Sequence, residues 1–149
     1  MKWLDVPPLW LLGFAVLAWA QAQYLSFNLS LAHPVTSLLS GLLVGGGIVL
    51  ALLAVMEFRK HQTTIVPHQM PTNLIQSGIF GRTRNPIYLA DVLILIGLCL
   101  WWDAILALAL VPILVWVLER RLIVPEENRM RRIFRADFAR YEQKVRRWL

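Results

Sequence analysis

The chain has 149 residues, of which 58% are hydrophobic and only 16% are charged, with a formal net charge of +6. Water-soluble domains carry roughly 25% charged residues, so this composition excludes an ordinary soluble enzyme and a disordered tail, and the length fits one domain. Residues 119–149 hold ten of the fifteen Lys and Arg residues, whereas residues 6–56 hold no formally charged side chain. The positive charge therefore belongs to one tail and gives no reason to expect nucleic acid as a partner.

Two long apolar segments open the chain and are predicted to form membrane helices. They cover residues 8–25 and 37–56, and the second is long enough to cross the hydrocarbon core. Ser37, Gly41 and Gly45 lie one helical turn apart, and we interpret them as a strip that packs against another helix. Because Lys2 precedes an apolar core, a signal peptide is the alternative for the first segment. The apolar run continues to residue 25, which favours a retained helix.

The segment from residue 57 to residue 85 is polar and irregular, and it is too long for a passive connection in a protein of this size. Long loops of this kind are usually functional or disordered, so this one is the first place to look for a site. Asn85-Pro86 then predicts the start of a third helix, because Asn is a favoured N-cap and Pro is preorganised for the first helical position.

Two further apolar runs follow, over residues 86–102 and 104–118, and they are predicted to form a tight hairpin. Trp101-Trp102-Asp103 supplies interfacial aromatic rings and a charge between them, and Pro112 predicts a kink in the second run. Each run is at the short limit for a membrane span, so the sequence leaves open whether both cross fully or the hairpin is re-entrant.

The tail after Pro125, which we interpret as the end of the fourth helix, shows helical amphipathicity. At 100° per residue its apolar side chains fall within an arc of about 140°, with the arginines on the other side. This pattern predicts one basic amphipathic helix that lies on an anionic membrane face or packs on the bundle.

The sequence therefore predicts an all-α integral membrane protein with about four transmembrane helices and a C-terminal amphipathic helix. Its single domain, residues 1–149, divides into two N-terminal helices (1–56) and a loop, hairpin and C-terminal helix (57–149). Short cytoplasmic loops collect Lys and Arg, which places the 57–85 loop, the tail and both termini in the cytoplasm. The loop and the tail would then share one membrane face.

Several charged side chains would meet on that face. Arg82 and Arg84 precede the N-terminus of the third helix, where an anion would be favoured, although arginines there also serve as topology signals. Glu126-Glu127 either caps the last helix or holds a cation. Asp91 lies one turn inside the third helix, where a buried carboxylate is either functional or paired with an arginine. The three histidines have no metal-site spacing, so no metal is expected.

Two sequence blocks resemble a known family. Arg84-Asn85-Pro86-Ile87-Tyr88 resembles the R-(H/N)-P-x-Y signature of the isoprenylcysteine carboxyl methyltransferase and phospholipid methyltransferase superfamily. Glu126-Glu127, the Phe134 to Tyr141 segment and the Val145-Arg146-Arg147-Trp148 ending are similar to that family's E-E, F-G-x-x-Y-x-x-Y and V-P-R-W elements. Arg135 stands where glycine is usual, and Asn85 stands where many members have histidine.

The resemblance implies a membrane methyltransferase that uses S-adenosylmethionine and a lipophilic or amphiphilic acceptor from the bilayer, in a bacterial-type member of the inner membrane. Carried over by position, it nominates as cofactor-binding residues Thr72, Asn73, Leu74, Ile75, Phe80, Asn85, Pro86, Ile87, Tyr88 and Glu126. Arg84 would hold the cofactor carboxylate and Glu126 its ammonium. Glu127 or Asp91 would act as general base, and the sequence does not choose between them.

The substrate-carboxylate arginine of prenylcysteine enzymes falls on Leu122, next to Arg121, so Arg121 is the candidate substrate-binding residue. Two rival functions remain. One is a nicotinamide-dependent membrane reductase, because R-N-P-x-Y-L-x-D also resembles sterol reductases, and the other is a small membrane scaffold whose basic tail binds lipid or a partner.

Overall fold

The computed structural model describes residues 6–25, 30–63 and 72–149, and every regular element within these ranges is helical. The α-helices are α1 (Pro7–Tyr24), α2 (Pro34–Lys60), α3 (Pro86–Trp101), α4 (Leu110–Leu118) and α5 (Val124–Lys144). Short 3-10 helices cover Gly78–Gly81 and Ile105–Ala109, and a π-helical turn, Glu119–Ile123, joins α4 to α5. The predicted all-helical class is therefore confirmed for the described residues.

A histidine caps the start of α2. The Nδ1 atom of His33 accepts a hydrogen bond from the backbone N–H of Val35, and the backbone N–H of His33 donates to Oγ1 of Thr36. This reciprocal arrangement satisfies two of the N–H groups that every helix start leaves without partners. As a result α2 begins at Pro34, three residues earlier than the apolar pattern predicts.

Helix α3 lies at the centre of the bundle, and α2 packs along it in the antiparallel direction. Near the start of α2, Ser40 Oγ donates to the carbonyl oxygen of Gly97, at 2.8 Å. Two turns further along the same face of α2, a Cβ atom on Gly47 would lie only 2.9 Å from the carbonyl oxygen of Ala90. The close approach of the two backbones therefore requires glycine at this position of α2.

The packing strip predicted for α2 is wrong. The buried residues of α2 are Ser40, Gly47 and Ala54, which recur every seventh position. Gly41 and Gly45 belong to another face, where an added Cβ atom would meet nothing within 4 Å. Helix α2 carries small residues on two faces, and the sequence pattern alone does not say which face meets α3.

The other side of α3 packs against α1 and against α4, the second arm of the hairpin. Ala18, Leu95, Leu114 and Leu118 are fully buried in this cluster. The turn after α3 is tied to the turn before α2, because Oδ1 of Asp103 accepts a hydrogen bond from the backbone N–H of Leu31, at 2.7 Å.

The hairpin differs in detail from the prediction of a kink at Pro112. The second arm starts as the 3-10 helix Ile105–Ala109, and the regular helix begins only at Leu110. Pro112 thus occupies the first turn of α4, where its missing N–H would have no helical partner and proline is tolerated. The irregular backbone lies before the proline.

Two further corrections concern the tail. Pro125 does not end a helix, because the chain passes through the π-helical turn directly into α5, whose first turn contains Pro125. The tail is also not one continuous helix, since Arg135 has φ +41° and ψ −111° and divides α5 into two segments. Such a conformation is rare for any residue other than glycine, which explains why glycine is usual here in the similar family motif.

Replacing Arg135 with glycine is expected to stabilise the protein by about 1 kcal/mol, because the backbone strain at a positive φ disappears. Thermal unfolding of the detergent-solubilised protein measures this change. The matched control is Arg132→Gly, an exposed position with regular helical backbone, where glycine should cost about 1 kcal/mol. Equal destabilisation by the two substitutions would show that Arg135 is not strained.

Helix α2 is the one described helix that is both long and apolar enough to cross a membrane. Its outward face carries large apolar side chains, among them Leu38, Leu42, Leu52 and Met56, each more than half exposed. Helix α3 is apolar but has only 16 residues. A single clear span by length and composition supports membrane association, and four crossings remain a prediction.

Candidate active site

The 72–85 loop and the C-terminal tail meet at one end of the bundle. Tyr141 donates from its hydroxyl to the carbonyl oxygen of Phe80, at 2.6 Å. The carbonyl oxygen of Arg147 accepts from both Oγ1 of Thr83, at 3.2 Å, and Nδ2 of Asn85, at 3.0 Å. These bonds join segments about 60 residues apart in sequence and fix the residues that precede α3.

A cavity of about 450 Å³ lies beside this junction. Its apolar wall comes from the start of α1 and the second half of α2: Val6, Pro7, Pro8, Ala51, Val55 and Phe58. The opposite wall comes from the loop, α3 and α5: Phe80, Arg84, Asn85, Pro86, Ile87, Tyr88, Asp91 and Glu126. All eight residues of this second wall are among those nominated from the sequence.

Two carboxylates, those of Asp91 and Glu126, belong to the polar part of the cavity. Tyr88 donates from its hydroxyl to Oε2 of Glu126, at 2.9 Å. Asp91 is 6% exposed, and its Oδ2 atom has no hydrogen-bond partner. Enclosure by protein raises the pKa of Glu126 above its ordinary value, while the hydrogen bond from Tyr88 and the charge of Arg129 oppose that rise.

Asn85 occupies the predicted N-cap position of α3, but its side chain forms no capping bond. Its Nδ2 atom donates to the carbonyl oxygen of Arg147 instead. Because a carbonyl oxygen only accepts, this bond fixes the orientation of the amide and leaves Oδ1 to accept from a ligand. The cavity therefore presents hydrogen-bond acceptors on Asn85, Asp91 and Glu126, a lining suited to a cation or a donor.

Arg84 is the cationic member of the lining, and it is held by two glutamates. Its NH1 atom lies 2.8 Å from Glu142 and its NH2 atom 3.1 Å from Glu127. The pKa of Glu142 lies below its ordinary value, first because Arg131 donates a hydrogen bond to it. The Nε atom of Arg84 is buried without a partner, which leaves one donor for an anionic group.

The structure does not bring Glu127 to the cavity wall. Its carboxylate, 4% exposed, accepts from Nε and NH2 of Arg147, at 3.1 and 2.7 Å, and pairs with Arg84 at 3.1 Å. Both oxygens of this carboxylate are therefore engaged by guanidinium groups, and neither faces the cavity. Of the two general bases considered from sequence, Asp91 alone lines the cavity.

Five other nominated residues also lie away from this cavity. Thr72 and Asn73 donate from their side chains to backbone carbonyls just beyond the end of α2, at 3.3 and 2.9 Å. Leu74 packs against the aromatic residues of α5, and Ile75 packs beside Phe80. These four residues therefore anchor the loop. Arg121 is exposed on the π-helical turn.

Sequence reasoning missed the apolar wall of the cavity. Ala51 and Val55 lie in an uninterrupted apolar stretch of α2, and nothing in their identity distinguishes them from residues that face outward. Whether such a residue lines the cavity depends only on how the helices pack, which the sequence of one helix does not reveal.

Comparison with known proteins agrees with the motifs in the loop and the tail. The family model described as phospholipid methyltransferase matches residues 35–137, which include the α2 part of the apolar wall and the whole of the opposite wall. The chain belongs to the phospholipid methyltransferase family. It is accordingly a methyltransferase with a lipid-type substrate from a membrane-associated family.

A second comparison identifies a relative of undefined function. The chain is 40% identical over 63 residues, which make up 42% of this chain, to an uncharacterised protein of Haemophilus influenzae. The matched region covers 100% of that protein. No solved structure matches the chain.

Proposed function

We propose that this protein transfers a methyl group from S-adenosylmethionine to an amphiphilic acceptor at the cytoplasmic face of a membrane. The observation that supports this proposal best is the divided lining of the cavity. An apolar wall from α1 and α2 faces a wall that carries Asp91, Glu126 and the unsatisfied Nε of Arg84. Such a lining suits an acceptor with an apolar body bound next to a cofactor that carries charged groups.

The residues present fit the cofactor. A volume of about 450 Å³ is within the usual range for cofactor pockets. Arg84 Nε and the backbone N–H groups at the start of α3 supply donors for a carboxylate, since no preceding helical carbonyl satisfies those groups. Glu126 supplies a carboxylate for an ammonium. When bound, the cofactor supplies an electrophilic methyl group on a sulfonium.

The chain's own residues then orient the acceptor and take its proton. The apolar wall holds the hydrocarbon part and excludes water from the reacting atoms. Asp91 lines the cavity one turn inside α3, and its unpartnered Oδ2 would accept the proton that an amine or hydroxyl loses on methylation.

Calorimetry on the detergent-solubilised protein tests the cofactor, with S-adenosylmethionine and NADPH as competing probes. Saturable binding of the first and none of the second is expected. The reverse result would favour a reductase, and binding of neither would favour a scaffold. Incubation with a lipid extract and labelled S-adenosylmethionine, followed by mass spectrometry, should then identify a methylated amphiphile. Preferential methylation of a small water-soluble thiol or amine would overturn the amphiphilic acceptor.

We also propose that both termini lie in the cytoplasm of a bacterial inner membrane, because the cations concentrate in the 57–85 loop and the tail. Single cysteines at Lys60 and Lys144 should react with a membrane-impermeant reagent only after the cells are opened. The native Cys99 is 1% exposed, so it should add little background. A cysteine at Leu31, at the opposite end of the bundle, should react in intact cells whose outer membrane has been made permeable. Labelling of Lys60 or Lys144 sites from outside would refute the arrangement.

A further inference from the structure

We infer that Arg147 is a positioning residue for the cofactor site, through two sets of bonds that join opposite parts of the cavity's polar wall. This inference rests on the proposed function, because its effect is measured as binding of S-adenosylmethionine. Arg147 itself does not line the cavity, and its guanidinium bonds to the carboxylates of Glu127 on α5 and Glu119 on the π-helical turn.

The side chain of Arg147 fixes the beginning of α5. Two of its nitrogens, Nε and NH2, donate to the two oxygens of Glu127, and NH1 reaches Glu119 on the π-helical turn at 3.4 Å. The parallel pair of bonds to one carboxylate sets both distance and orientation. The neighbouring Trp148 adds a bond from Nε1 to the same Glu119 oxygen, at 2.9 Å.

The backbone of the same short segment fixes the residues before α3. The carbonyl oxygen of Arg146 accepts from the backbone N–H of Arg84, at 3.1 Å. The carbonyl oxygen of Arg147 accepts from Thr83 and from Nδ2 of Asn85. This last bond is the one that leaves Oδ1 of Asn85 to accept from a ligand.

The two sets of bonds act on different elements. Asn85 and Tyr88 belong to the start of α3, whereas Glu126 belongs to the start of α5 and is adjacent to Glu127. A binding site keeps its affinity only when such groups are held within about 0.5 Å of the productive geometry. Since Arg147 is bonded to both elements, it sets the spacing between Asn85 and Glu126 without touching a ligand.

Two substitutions test this role, with affinity for S-adenosylmethionine as the measurement. Arg147→Ala should raise the Kd at least tenfold. Arg147→Lys should fold normally, because it keeps the positive charge beside Glu127. It should still raise the Kd about fivefold, because lysine cannot form the parallel pair of hydrogen bonds to that carboxylate. The matched control is Arg146→Ala, which removes an exposed side chain and keeps the backbone bond to Arg84. Its Kd should stay within twofold of the wild-type value.

A double-mutant cycle separates positioning from general stability. If Arg147 acts through Asn85, the loss of affinity in Arg147→Lys combined with Asn85→Ala should be smaller than the product of the two single losses. Independent losses, or a normal Kd for both Arg147 variants with only a lower melting temperature, would overturn the inference. Failure of the wild-type protein to bind S-adenosylmethionine would overturn the proposed function, and this inference with it.

Discussion

Replacing Asp91 with asparagine is expected to lower the turnover of methyl transfer about 100-fold, within the usual range for a general base. Asp91 lines the cavity with one oxygen unpartnered, and asparagine keeps its shape but cannot take a proton. The Kd for S-adenosylmethionine should change by no more than about threefold, because the carboxylate acts on the acceptor. Single-turnover rates with a methylated lipid as product measure the effect, and calorimetry measures the Kd.

The matched control for this substitution is Asp103→Asn. Asp103 lies beyond the far end of the same helix and accepts a backbone hydrogen bond from Leu31, far from the cavity. It should affect stability without affecting the turnover of folded protein. An Asp91→Asn protein that keeps full turnover but binds the cofactor weakly would assign Asp91 to the cofactor's positive charge instead of the acceptor's proton.

Local signals in the sequence were enough to locate α3 and the polar side of its site. Asn85-Pro86 predicts the first residue of α3, because the ring of Pro86 favours a first helical turn whatever lies around it. Spacing along one helix then places Tyr88 and Asp91 near each other, and the family motif adds Glu126. All of these residues line the same cavity.

Features that depend on distant parts of the chain could not be predicted in this way. The role of Glu127 is decided by Arg147, 20 residues away, and by Arg84, 43 residues away in sequence. Sequence proximity to Glu126 suggested a shared role, but adjacent residues on a helix point in directions about 100° apart. One carboxylate therefore faces the cavity, and the other faces the arginines.

The prediction of which face of α2 packs against another helix was wrong for a similar reason. Helix packing selects the face of Ser40 and Gly47, which lie against the carbonyl oxygens of Gly97 and Ala90 on α3. Gly41 and Gly45 satisfy the same spacing rule. A pattern within one helix cannot identify the face without the partner helix.

The bond between Asn85 and Arg147 also explains a difference from the similar family motif. Asn85 donates through Nδ2 and keeps Oδ1 as an acceptor. A histidine, which is common at this position in the family, has two ring nitrogens, one of which donates while the other accepts. Both residue types can bond the tail and still present an acceptor to the cavity.

Replacing Arg84 with lysine is expected to lower kcat/KM for methyl transfer at least tenfold, which corresponds to about 1.4 kcal/mol of transition-state stabilisation. The guanidinium of Arg84 reaches Glu127 and Glu142 with two different nitrogens and keeps Nε for a ligand. A lysine ammonium is a single point charge on a flexible stem, so it cannot bond to both carboxylates and also face the cavity.

Arg82→Lys, at an exposed position of the same loop, is the control and should retain wild-type kcat/KM. Melting temperature and detergent gel filtration must first show that Arg84→Lys is folded, as we expect because its positive charge is kept. Full turnover of a lipid acceptor by that folded variant would place the methyl transfer away from Arg84 and the start of α3.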